Sequence, residues 1–229
     1  MKIKNIAVIP ARRNSKGIKF KNRTFFNLTA NFLKKLDFID TVIVSSDDQI
    51  ILKKAENYKF QTHKRKKKYA GDAISIKKTL LNLIREQKLN KNDNLWLFYI
   101  PLVNREKKDF YKAYKITKTK KFKSLCSFIE IDYAQHPFYC WKYHNKKIFQ
   151  YIANKIFRRQ DLPKAYSHFH YLCCFKVGEI TKLNNELINS HTRPIFLNSD
   201  ITKNLIEIDT PDDVKRYDKL KNKRKILLK

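Results

Sequence analysis

The chain has 229 residues, with 51 Lys+Arg against 21 Asp+Glu, a formal net charge of +30. Hydrophobic residues make up 42% and aromatics 13%, too apolar for a disordered basic tail, and the length suits one large α/β domain or a core domain with an excursion. No apolar run approaches the roughly 20 residues that span a bilayer, and Met1 to Pro10 reads as too short for a signal peptide, so a soluble cytoplasmic protein with no membrane partner is expected.

Lys4 to Ile9 is a short apolar run and reads as a buried strand. It ends at Pro10 and opens into a long, polar, basic loop from Ala11 to Asn22, which contains Gly17, one of only three glycines. Asn27 to Leu36 has helical spacing. Thr41 to Ser45 is a second, β-branched strand. Ser46-Asp47-Asp48 supplies an N-cap and an acidic first turn for a helix through Asn57. Ala73 to Gln87 and Lys107 to Lys118 read as helices, and Asn94 to Tyr99 and Ser124 to Ile129 as strands. Regularity breaks between Tyr133 and Tyr166, a stretch with Pro137, Pro163 and clustered aromatics, which reads as an excursion from the core. Patterning returns with a strand at Tyr171 to Phe175, a helix at Gly178 to Asn189 and a strand at Leu205 to Ile208. The last helix opens at Thr210-Pro211-Asp212-Asp213, with Thr210 as N-cap and Pro211 at its first position. After Lys219 a frayed basic tail is expected. Alternating strands and helices predict a mostly parallel sheet with helices on both faces.

The charge excess has two readings. Lys and Arg in such number suit a polyanion partner, but the excess is mostly Lys, accompanied by many Asn, Ile and Phe, as A/T-rich codons would give. The four cysteines, Cys126, Cys140, Cys173 and Cys174, show no zinc-site spacing and read as reduced. His168 and His170 alternate like residues on one strand face, which suits a sheet face or a substrate pocket better than a metal pair.

Two segments carry chemistry. In a doubly wound sheet, ligands bind beyond the C-terminal ends of strands. A first loop with Arg12, Ser15, Lys16, Gly17 and Lys21 suits a polyphosphate, through Arg forks, Lys point charges and close backbone approach at Gly. It fits neither the P-loop nor the dinucleotide fingerprint, and a solvated basic loop stays open on these residues alone. In Ile206-Glu207-Ile208-Asp209-Thr210, Glu207 and Asp209 point to one face of a strand. Such a pair near phosphate suits Mg²⁺, with a solvent-facing strand edge as the other reading.

Ile9-Pro10-Ala11-Arg12-Arg13-Asn14-Ser15-Lys16-Gly17-Ile18, followed by Lys21-Asn22, resembles the opening signature of the CMP-N-acylneuraminate (sialic and other nonulosonic acid) cytidylyltransferases. Val44-Ser45-Ser46-Asp47-Asp48 is similar to that family's V-S-T-D-D stretch. Arg65 with Ala70-Gly71-Asp72 falls at R-P-x-x-L-A-x-D, Arg158-Arg159-Gln160-Asp161-Leu162-Pro163 at R-Q-x-x-P, and Ile208 to Asp213 at I-D-T-x-x-D. The matches are collinear from about Lys4 to Leu220.

The resemblance implies a three-layer, Rossmann-like nucleotidyltransferase fold. It implies a single domain over residues 1–220, a dimerisation excursion over about 133–166 and a tail at 221–229. It also implies a reaction. The anomeric hydroxyl of a 2-keto acid sugar attacks the α-phosphate of CTP and releases pyrophosphate, giving a CMP-sugar for surface glycan synthesis. Arg12, Lys16 and Lys21 would stabilise the phosphates. Ala11, Ser15, Gly17, Asn22, Arg65 and Asp72 would line the nucleotide side, and Glu207 and Asp209 would hold Mg²⁺. Arg158, Arg159 and Gln160 would reach the acidic sugar, in trans across a homodimer.

Two departures fall on the sugar side. Leu97 to Leu102 stands where the family has L-Q-P-T-S-P-L-R, so its Gln is missing, and His168 to Cys174 replaces N-G-A-I-Y. Glu207 also stands where the family has Asp. A changed sugar pocket follows, with His168 and His170 as new contacts, or an activity that is reduced or lost. A 3-deoxy-manno-octulosonate cytidylyltransferase and a non-catalytic polyanion binder on the same fold are the alternatives. The functional cations form a small part of the +30 and the rest is spread over helix faces and the tail, which makes nucleic acid the less favoured partner.

Overall fold

In the computed structural model, residues 2–14, 17–198, 201–202 and 205–227 are described. The first strand, β1 (Asn5–Ala11), shows why the sheet forms where it does. Its residues alternate between two buried faces: Ala7, Ile9 and Ala11 enter one apolar cluster, Ile6 and Val8 the other. A strand buried on both sides reads as continuous apolar sequence. β2 (Thr41–Ser46) lies parallel on one side of β1, and β4 (Asn94–Leu97) on the other. Trp96 and Leu97 continue the alternation into opposite clusters.

The full sheet has seven strands in the order β10-β6-β9-β4-β1-β2-β3, where β3 is Gln61–Lys64, β6 Ser124–Glu130, β9 Tyr166–Lys176 and β10 Arg193–Leu197. Only β9 runs antiparallel to its neighbours. α1 (Lys21–Leu33), α2 (Gln49–Asn57) and α4 (Lys107–Thr117) cover one face with Phe26, Ile51 and Phe110. α3 (Ile76–Glu86) covers the other with Leu80 and Leu83. This is the mostly parallel α/β sandwich expected from the sequence.

Local chemistry fixes the boundaries. Asp48 caps α2 by accepting from the Ile50 amide at 3.0 Å, and Arg23 forks onto the same carboxylate at 2.6 and 3.1 Å. Asp47 lies outside the helix and accepts from the Arg13 amide at 2.8 Å instead of forming an acidic first turn. The first loop is shorter than expected, because α1 starts at Lys21 after Phe20 turns through φ 57°.

The expected helix over 178–189 is absent. A single 3-10 segment, Val177–Lys182, gives way to turns. The Asn184 side chain accepts from the Glu186 and Ile188 amides at 2.9 and 3.0 Å, and Asn189 from His191 at 2.9 Å. Asn side chains that capture local amides compete with helical bonds. Leu187 at φ 60° completes the break.

The excursion carries a hairpin, β7 (Trp141–His144) with β8 (Lys147–Gln150), turned by Asn145 and Lys146, both at positive φ, as two-residue hairpin turns require. A short antiparallel pair joins β5 (Leu102–Val103) to β11 (Ile206–Glu207). The last helix, α5 (Pro211–Leu227), continues past Lys219 instead of fraying there. No helix among the described residues is long and apolar enough to cross a membrane.

Candidate functional site

A cleft of about 360 Å³ opens at the C-terminal ends of β1 and β4. Arg12, Lys21, Asn22, Arg65, Asp72, Glu207 and Asp209 all line it. Segments nearly 200 positions apart meet because β5 and β11 pair, and the Ile208 amide donates to the Pro101 carbonyl at 2.9 Å.

Each cation is already engaged. Arg12 is ion-paired to Asp72, and Lys21 to Asp209. Lys21 Nζ also donates to the Ile208 carbonyl at 3.1 Å. The Asn22 amide group donates to the Arg12 carbonyl at 2.9 Å, tying the start of the loop to α1.

Arg65 is buried and donates to the Ser45 carbonyl at 2.9 Å and to the Ser45 hydroxyl at 3.3 Å. Burial, reinforced by the Arg12 charge, lowers its pKa to about 10, against the pull of Asp47. Behind it runs a relay. The Ser45 hydroxyl meets His63 Nδ1 at 2.9 Å, and His63 Nε2 meets Glu86 Oε2 at 2.9 Å. Glu86 is held down at about 2 by hydrogen bonds from Lys66 and then His63. The sequence reading missed this relay, since its members lie on three elements whose adjacency only the sheet order creates.

The two carboxylates on the β11 side differ. Glu207 stands exposed at the rim, yet the protein around it and the charge of Asp209 raise its carboxyl, against Lys21. Two hard oxygen donors that repel each other suit a divalent cation shared with phosphate.

Gly17 is also required by packing. A Cβ there would lie 2.0 Å from the Asp209 carbonyl oxygen, so the first loop rests directly on the β11 end. Ala11 is fully buried at the end of β1, in the apolar core, and does not line the cleft. Ser15 and Lys16 lie outside the described residues.

His168 and His170 do share a strand face, with ring centroids 5.1 Å apart. They line a neighbouring pocket of about 230 Å³ with Leu102 and Phe169. Tyr99 and Glu207 wall both spaces. Burial lowers the His170 pKa, aided by His168 and opposed by the Glu186 carbonyl. Tyr99, whose hydroxyl pKa burial raises, was read only as a strand end, although strand ends are where such sheets bind ligands.

Arg158, Arg159 and Gln160 do not reach this cleft within one chain. Arg158 forks onto Asp161 at 2.6 and 3.0 Å, and Arg159 lies 4.3 Å from the Tyr133 ring centre.

No family model and no curated protein matches the chain. Solved structures do match its fold. CMP:2-keto-3-deoxy-manno-octonic acid synthetase, solved with CTP, superposes with a TM-score of 0.69 at 12% identity, over 96% of this chain and 99% of that one. A cytidylyltransferase from Leptospira borgpetersenii gives 0.56 at 14%, over 93% and 84%. The 2-C-methyl-D-erythritol 4-phosphate cytidylyltransferase of Francisella tularensis gives 0.56 at 11%, over 94% and 98%. The class defined is therefore a mostly parallel α/β fold. Within it, the fold is one that these cytidylyltransferases share.

Proposed function

We propose that the chain is a CTP-dependent cytidylyltransferase that activates a nonulosonic or related 2-keto acid sugar as its CMP derivative. The observation that carries this reading is the convergence of Arg12, Lys21, Asn22 and Arg65 with Glu207 and Asp209 in one cleft, on a fold shared with enzymes of that class.

The chemistry asks for positioning and charge neutralisation, with little covalent work by the protein. Arg12 forks onto phosphate oxygens after exchanging Asp72 for substrate. Lys21 makes the same exchange from Asp209, and the Ile208 carbonyl keeps its ammonium at the site. Arg65, fixed through Ser45, presents its remaining guanidinium edge to the nucleotide. Glu207 and Asp209 would hold Mg²⁺, which when bound offsets the charge that develops on the phosphates. An Asp209 engaged by the cation would free Lys21 for the triphosphate, so CTP and Mg²⁺ should bind cooperatively.

His168, His170 and Tyr99 face the sugar acid in the neighbouring pocket, in place of the contacts that the altered 97–102 and 168–174 segments lack. The exposed aromatics of the excursion support a homodimer, in which Arg158, Arg159 and Gln160 would approach the partner's sugar site. A 3-deoxy-manno-octulosonate acceptor remains the alternative within the same reaction.

A pyrophosphate-release screen of CTP with Mg²⁺ against several nonulosonic acids and 3-deoxy-manno-octulosonate tests the proposal. Release is expected with at least one acid, together with a rise in melting temperature on adding CTP and Mg²⁺. No release with any acid, and no shift, would end it.

A further inference from the structure

The ladder between β6 and β9 breaks at one point. Cys126 faces Cys173, but the next β6 residue, Ser127, faces Phe169. His170 to Leu172 therefore bulge out opposite a single step of β6. The Ser127 hydroxyl clamps the break: it accepts from the Leu172 amide at 2.9 Å and donates to the Phe169 carbonyl. In an unbroken strand, residues three apart point to opposite faces. Bulges re-aim side chains, and this one brings His170 to Cys173 with Cys126 across the ladder. One ligand atom from each of the three lies within 4.8 Å of the other two.

The His170 ring is also oriented. Its Nε2 lies 3.0 Å from the Glu186 backbone carbonyl oxygen. A carbonyl only accepts, so Nε2 carries the hydrogen and Nδ1 holds the lone pair. Metal-bound histidines are set in place by such a carbonyl on their other nitrogen.

We propose that Cys126, His170 and Cys173 form a site for a thiophilic divalent cation, with Zn²⁺ as the ion that suits the donor set. Two sulfurs and an imidazole select Zn²⁺ over Mg²⁺. Zn–S of about 2.3 Å and Zn–N of about 2.0 Å place tetrahedral ligand atoms roughly 3.5 Å apart, so side-chain shifts of about 1 Å close the site. Both cysteines are buried, and His170 opens onto the pocket shared with Tyr99 and Glu207, which gives the ion an entry path and a fourth ligand from water. A second set, His168, His170 and Glu186, shares His170 but offers no sulfur. The proposal stands whether or not the chain turns over CTP.

The test uses the full chain, chelated and held reduced, and titrated with Co²⁺ or Zn²⁺ alone. One equivalent of Co²⁺ should give thiolate charge-transfer bands and a tetrahedral d–d spectrum, and Zn²⁺ should displace it and raise the melting temperature. Cys126→Ser and Cys173→Ser should each weaken the thiolate bands or abolish uptake, and Cys140→Ser should keep them at full intensity. A Co²⁺ spectrum without thiolate bands overturns the proposal. So does an absence of uptake, or binding lost in Glu186→Gln but kept in Cys126→Ser. The wild-type spectrum decides alone if a cysteine variant does not fold.

Discussion

At the C-terminal ends of β1 and β4, side chains stand on backbone that the core fixes from both faces. Arg12, Lys21 and Arg65 each have a partner there, and Gly17 abuts Asp209. Residues 133–166 are built differently. Among the described residues, the strands β7 and β8 pair only with each other, and nine of the thirteen exposed large apolar side chains fall in this stretch. Trp141 is 56% exposed and Phe157 84%. Exposed apolar side chains concentrated in this way are what an interaction surface would present. The cleft is thus braced by its own chain, while the excursion leaves its apolar side chains uncovered. Changes in the cleft should act on chemistry, and changes in the excursion on assembly.

The largest effects belong to the cleft. Arg12→Ala and Asp209→Ala should each lower kcat/KM by about 10²–10³-fold, since each removes charge stabilisation in the transition state. Pyrophosphate release measures this, and near-wild-type rates in both variants would move the site elsewhere. Gly17→Ala should also impair CTP binding, because its methyl group meets backbone that cannot swing aside. Gly71→Ala is the control: its nearest neighbour beyond adjacent residues is Ile74 Cγ1 at 3.7 Å.

The excursion is tested by mixing. Trp141→Ser with Phe157→Ser should convert a dimer to monomer in sedimentation while leaving the core's thermal unfolding nearly unchanged. If Arg158 acts across the dimer, Arg12→Ala and Arg158→Ala chains should each be impaired alone. Mixed in equal amounts, they should recover about a quarter of wild-type activity, because half of the dimers carry one intact composite site. No recovery from stably mixed dimers would confine each site to one chain.

The two regions also differed in how much their sequence disclosed. β1, β2 and β4 were legible because strands buried on both faces are apolar throughout, and the cleft motifs sit at their ends. The hairpin was not, because β7 and β8 have no core to face and so no alternation to read. The helix expected at 178–189 does not form because Asn184 and Asn189 compete for its backbone amides, which apolar spacing does not reveal. β3 escaped notice since Gln61-Thr62-His63-Lys64 is polar, and with it went the relay behind Arg65. Arg12 and Asp209 were legible as residues. That they line one cleft depended on the β5–β11 pairing, whose two-residue strands leave no periodic trace.

A smaller effect separates the relay from the pocket it supports. Glu86 is depressed from its ordinary 4.5 to about 2 by Lys66 and His63. A depressed carboxylate contributes stability that is fully present above the unfolded value and is lost as pH falls through the folded one. The contribution should therefore fade from about pH 4.5 toward 2, and Glu86→Gln should flatten that limb of a melting-temperature profile. His63→Ala should raise KM for CTP more than it lowers kcat, because it loosens Ser45 and so Arg65. An equal loss in both parameters would place the relay in the chemical step.

The smallest change tests how closely the cleft depends on its frame. The Thr210 hydroxyl donates to Asp213 Oδ2 at 2.8 Å and accepts from the Asp213 amide at 3.3 Å. The same Oδ2 accepts from the Thr210 and Asp209 amides at 2.8 and 3.1 Å, and together these bonds lower the Asp213 pKa. This reciprocal cap starts α5 and also fixes the backbone of Asp209. Thr210→Ala should cost about 1 kcal/mol in denaturant unfolding. Were the cap only structural, activity in the folded protein would be untouched. Because Asp209 hangs from the same carboxylate, the Mg²⁺ concentration needed for half-maximal activity should rise several-fold, and Thr210→Ser should restore it. No excursion variant should move that concentration in dimers that remain assembled.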